Sequence, residues 1–132
     1  MTDPKARADV ISGLTSAWYE GFIPNPQMEE RITEFLAGLK RGGRRVVVVH
    51  APVHSEFRKY VLEKEPLKFA FYVRGLKEIA ANAGVELVFL DRPEDAGITD
   101  GDIIPDPVHL RSDAAEKFTR ELGRILVHRR LL

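Results

Sequence analysis

Arg45-Val46-Val47-Val48-Val49-His50-Ala51-Pro52 is the stretch from which the fold can be read. Four consecutive valines without polar alternation describe a strand covered on both faces. Such strands belong to parallel sheets sandwiched between helices. A second run of the same kind, Val85-Glu86-Leu87-Val88-Phe89-Leu90, follows a long helical segment. The two strands and the helices between them form a β-α-β crossover, which is right-handed when the strands are parallel. The expected class is therefore α/β: a three-layer α/β/α domain with a small parallel sheet of about two strands in this chain. Two strands make a poor sheet, so the reading also expects a homo-oligomer, or a partner chain that completes the sheet.

The flanking segments read as helices. Residues 4–20 start from Asp3 as N-cap with Pro4 in the first turn, and Leu14 and Trp18 share one face. Gly21-Phe22-Ile23-Pro24 interrupts, and Asn25-Pro26 opens a second helix with Met28, Ile32, Phe35, Leu36 and Leu39 facing inward, stopped by Gly42-Gly43. Ser55 reads as the N-cap of a short helix to about Glu63, and Pro66 restarts the helical path. Phe69, Tyr72, Val73, Leu76, Ile79, Ala80 and Ala83 then make an apolar face that ends at Gly84. After a long acidic loop, Asp113 and Glu116 read as a capping box for a last helix with Ala114, Phe118, Leu122, Ile125 and Leu126 inward. The order is α-α-β-α-α-β-loop-α. Residues 1–132 read as one domain, with 1–24 a helical N-terminal extension.

Composition narrows the function classes. Lys plus Arg and Asp plus Glu number 20 each, so the formal net charge is zero and no basic stripe invites nucleic acid. The basic clusters Lys40-Arg41-Gly42-Gly43-Arg44-Arg45 and His128-Arg129-Arg130 lie at helix ends, where cations complement the dipole. There is no cysteine, which excludes disulfides and thiolate metal sites. No apolar run reaches the roughly 18 residues of a membrane span, and the N-terminus lacks a signal-peptide plan. The expected setting is cytoplasmic.

In an open parallel sheet, ligands collect beyond the carboxyl ends of the strands. His50, Pro52, His54 and Ser55 follow the first strand, and Asp91 follows the second. These five are the expected substrate-binding residues. Ile103-Ile104-Pro105-Asp106-Pro107-Val108-His109-Leu110 returns from the same rim with an acid and an imidazole three residues apart. Asp106 would orient the ring of His109 through one nitrogen and leave the other to act as general base. His50, His54 and His109 with Asp106 or Asp91 hold donors of the kind zinc takes, but Pro52 interrupts the His-x-x-x-His spacing, and neither a metal nor a cofactor is expected. Trp18, Tyr19, Phe69 and Tyr72 read as core residues on helix faces.

The segment Asp106–Leu122 resembles the closing block of the SGNH (GDSL-like) hydrolase superfamily, where the triad aspartate and histidine precede the final helix as D-x-x-H-L. Val46–Pro52 and Val85–Asp91 also look like later strands of SGNH-type esterases and acyltransferases. The resemblance spans roughly residues 26–127 and implies an SGNH- or flavodoxin-like rear half. It further implies catalytic roles for Asp106 and His109 on an ester such as an acylated carbohydrate, lipid or small molecule. Ala114 stands where many relatives carry glycine. The larger departure is at the front: no strand with a Gly-Asp-Ser-like block and no oxyanion blocks precede this half, and the serines are Ser12, Ser16, Ser55 and Ser112. Ser55 follows a strand but has no neighbouring glycine to make a nucleophile elbow. Three functions follow: a half-domain whose serine comes from another segment or chain, a non-catalytic oligomeric module, or a hydrolase using Ser55.

Overall fold

Val47–His50 (β1) pairs in parallel with Glu86–Phe89 (β2), His50 opposite Phe89. The computed structural model describes residues 3–20, 22–104 and 106–132. Among the described residues the α-helices are Pro4–Thr15 (α1), Pro26–Arg41 (α2), Ser55–Lys64 (α3), Pro66–Ala83 (α4) and Ser112–His128 (α5). The element order and the α/β class are those read from the sequence.

The pleat sorts side chains between two layers. Val47, Val49, Val88 and Leu90 pack with Phe118, Leu122, Ile125 and Leu126 of α5. On the opposite face His50 and Phe89 stack, and the His50 ring meets Tyr72 of α4. Ala96, Ile98 and Ile103 of the acidic loop complete the α5-side core, and Val88 and Ile103 are almost wholly buried. Burying one such side chain contributes about 1.5–3 kcal/mol. A second core joins Ile11 of α1 to Phe57 and Val61 of α3, with Phe69 and Val108 against it. No helix is long and apolar enough to cross a membrane among the described residues.

Several local expectations change. All four β1 residues are only partly buried, not covered on both faces, because β2 is the sole strand paired with β1 among the described residues. The first helix is α-helical to Thr15 and continues as a π-helical turn, Ser16–Glu20, where Trp18 is exposed but packs edge-on to Phe57. On α2, Leu36 and Leu39 are partly buried, but Met28, Ile32 and Phe35 are exposed, Phe35 at 65%. The main neighbour of α2 is α4, and one helix cannot cover so broad a stripe.

The caps divide the same way. Asp3 accepts from the Lys5 N–H and Asn25 from the Met28 N–H, as read. Gly84 closes α4 at φ 67°, and Lys40 reaches its carbonyl from the end of α2. Ser55, however, is the first residue of α3 and His54 is its cap, with Nδ1 accepting from the Glu56 N–H at 3.2 Å. Asp113 and Glu116 form no box on α5; they pair with Arg111 and Arg120 instead. Charged partners within reach outcompete a backbone N–H that water can satisfy. The expected break at Gly21 and the first of the prolines flanking Asp106, Pro105, lie outside the described residues.

Candidate functional site

The loop after β2 is built to hold a short segment still. Two 3₁₀ turns, Pro93–Ala96 and Asp100–Asp102, shorten it. Asp102 accepts from the Thr99 N–H and hydroxyl and pairs with Lys117 of α5 at 2.9 Å. The chain then closes on itself: Ile103 bridges antiparallel to Leu110, and the Arg111 N–H donates to the Asp102 carbonyl at 3.0 Å. Asp106 and His109 sit on the turn pinned by that bridge.

Within the turn Asp106 does two jobs. Its Oδ1 accepts from the N–H groups of Val108 and His109, both at 2.9 Å, and its Oδ2 lies 2.7 Å from Nδ1 of His109. Burial works to raise the Asp106 carboxyl. The bonds from the Val108 N–H, the His109 ring and the His109 N–H outweigh it and hold the group below its ordinary value. An ionised acid on Nδ1 favours the tautomer that carries its proton there, leaving the Nε2 lone pair free. The His109 side chain is 75% exposed, and no hydrogen bond occupies Nε2 among the described residues. The arrangement is an exposed imidazole whose orientation a carboxylate fixes.

The rim of β1 lies beside it. The His54 N–H donates to the Pro107 carbonyl at 2.9 Å, and the Ser55 N–H to Asp100 Oδ1 at 2.7 Å. His54 Nδ1 stands 3.8 Å from the same Asp100 oxygen. Pro52 is buried. The Ser55 hydroxyl has no hydrogen-bond partner among the described residues, so no imidazole takes a bond from it. Ser55 is therefore not an activated nucleophile in this structure.

His50 and Asp91 belong to a different place. They line a cavity of about 370 Å³ beyond the strand ends, with Trp18, Tyr19, Phe22, Val53, Phe57, Arg58, Val61, Phe69 and Tyr72. His50 Nδ1 is 3.0 Å from the Tyr72 hydroxyl, and Arg58 of α3 pairs with Asp91. Burial lowers the His50 imidazole from its ordinary value against the pull of Asp91, and raises Tyr72. Tyr19 is pushed up to about 12 by burial, then by Tyr72 and Asp91. The expected convergence of three histidines does not occur: neither His54 nor His109 lines this cavity. No cluster of three or more metal-ligating side chains forms among the described residues.

Tyr19 and Phe69 pack against the core of α1 and α3, and with Trp18 and Tyr72 they also wall this cavity. Arg58 stands 33 residues from Asp91, and no local sequence pattern announces that pair. No protein-family model, curated protein or solved structure matches the chain.

Proposed function

We propose that this chain is the base-bearing half of an SGNH-type ester hydrolase or O-acyltransferase. His109 is the general base, Asp106 orients it, and the serine nucleophile comes from another segment or chain. The observation that carries the reading is the 2.7 Å contact between Asp106 Oδ2 and His109 Nδ1 on a pinned turn with the ring exposed. Nε2 of His109 takes the serine proton as the hydroxyl oxygen attacks the acyl carbon. It then returns that proton to the departing alkoxide, leaving an acyl-serine for water or an acceptor alcohol. Strands of the other half add at an open edge of the pair, since β1 and β2 have only each other as strand partners among the described residues.

Assay with a chromogenic acetyl ester tests this. The chain by itself turns over no ester. A polypeptide bearing a Gly-Asp-Ser-like block and oxyanion blocks restores turnover when mixed with it, and His109→Ala removes that turnover. Activity that survives His109→Ala excludes the role.

The exposed α2 residues Met28, Ile32 and Phe35 favour a second reading, a non-catalytic module that self-associates through this stripe. A dimer in sedimentation that dissociates on Phe35→Glu, and that stays inert to ester with the serine polypeptide present, supports it over the first.

A further inference from the structure

The cavity at the strand ends has a chemistry of its own, apart from the Asp106–His109 turn. Its volume, about 370 Å³, falls within the roughly 300–1,000 Å³ of small-molecule pockets. Trp18 and Tyr19 reach it from the π-helical turn Ser16–Glu20, a rare helical geometry that is frequent at functional sites. Other rings continue the lining. Centroids are 5.8 Å apart for Trp18 and Phe57, 6.3 Å for Tyr19 and Phe69, and 6.4 Å for Phe69 and Tyr72.

The polar side chains of the lining engage one another. His50 Nδ1 lies 3.0 Å from the Tyr72 hydroxyl, and Arg58 pairs with Asp91. The two full charges thus offset each other, and burial keeps the His50 imidazole uncharged at neutral pH. A water molecule needs about two to four polar partners, which rings and closed pairs supply poorly. An apolar group therefore displaces water here with a gain in affinity.

We propose that this cavity binds an uncharged, apolar small molecule of one or two rings. The size follows from the volume: an apolar cavity of about 150 Å³ takes one benzene, and this one is more than twice as large. The lack of charge follows from the Arg58–Asp91 pair. An ionic ligand would lose its hydration and would have to break that pair to gain a partner of its own. The proposal stands whether or not His109 has a serine to serve, because none of the cavity's lining residues belongs to that turn.

Trp18 is the only tryptophan in the chain and lines the cavity, so its fluorescence reports occupancy. Three probes share a phenyl ring on a three-carbon chain: propylbenzene is neutral, hydrocinnamate is an anion and 3-phenylpropylammonium is a cation. Propylbenzene gives a saturable change and binds at least about tenfold more tightly than either ion, which leaves its hydration without finding a free partner. In the wild-type protein, NOE contacts place the bound propylbenzene against Trp18, Val53 and Phe69. Val53→Phe, which adds a ring to the cavity wall, weakens binding at least about tenfold while circular dichroism stays native. The proposal is overturned if propylbenzene gives no saturable change up to its solubility, or if either ion binds as tightly. NOE contacts that fall instead on Met28, Ile32 and Phe35 of α2 overturn it as well, as does a folded Val53→Phe variant that binds like the wild type. Where Val53→Phe does not fold, the wild-type contacts and the three affinities decide.

Discussion

The backbone N–H of His54 donates to the Pro107 carbonyl at 2.9 Å, tying the turn after β1 to the loop that carries Asp106 and His109. His54 also caps α3 through Nδ1, so one residue sets both the start of that helix and the seat of the loop. His54→Ala therefore lowers stability by about 1 kcal/mol, the usual worth of a side-chain cap. Ser55→Ala stays within about 0.5 kcal/mol of wild type, since its hydroxyl makes no bond among the described residues. Urea melts of the two variants check this, and a larger loss for Ser55→Ala would return the cap to the serine.

Asp106→Asn keeps an oxygen for the two backbone N–H groups but removes the charge that holds the proton on Nδ1. Long-range proton–nitrogen NMR then shows neutral His109 as a mixture of tautomers, where the wild type carries the proton on Nδ1 alone. In the reconstituted esterase assay kcat falls by about 10⁴, as when a triad aspartate is neutralised. Asp106→Ala additionally strips both N–H groups of their acceptor and costs about 1–2 kcal/mol of stability. Unchanged tautomer signals in Asp106→Asn would remove the orienting role.

Stability falls with acid in two stages. Burial holds the His50 imidazole below its ordinary 6.5, so between 6.5 and that lowered value the unfolded chain binds more protons than the folded one. Stability is complete above this window and drops as pH falls through it. The second stage begins below 3.8. Lys117 and the Thr99 N–H hold Asp102 under that value, and the bonds around Asp106 overcome the opposing effect of burial to do the same. Both carboxylates then lose their contribution as they are protonated. His50→Phe, which keeps an aromatic ring against Phe89, flattens the first stage and leaves the second. Melting temperatures across the acid range read both.

Gly97 and Gly123 respond in opposite directions to alanine. Gly97 has φ 66°, and a Cβ there would stand 3.0 Å from Cγ of Glu121 on α5. Gly97→Ala costs about 1–3 kcal/mol and loosens the loop from α5. Gly123 lies within α5 with nothing within 4 Å of a built Cβ. Gly123→Ala stabilises by about 0.5–1 kcal/mol, the backbone entropy a helical glycine forfeits. Calorimetry distinguishes the two signs.

Sequence alone determined the α/β class, the order of the elements and the inward face of α5, because hydrophobic periodicity and glycine or proline stops are local signals. The Asp106–His109 pair was legible for the same reason: three residues on one turn meet without help from elsewhere. Only the tertiary structure decided that His54 caps α3, that Asp91 pairs with Arg58, and that the aromatic residues around Trp18 leave a chamber unfilled. Each of these depends on groups distant in the chain, whose approach is set by how α1, α3 and α4 pack over the strand ends. Packing also left Phe35 and β1 part-exposed, since a periodic stripe shows which face is apolar but not whether another surface arrives to cover it.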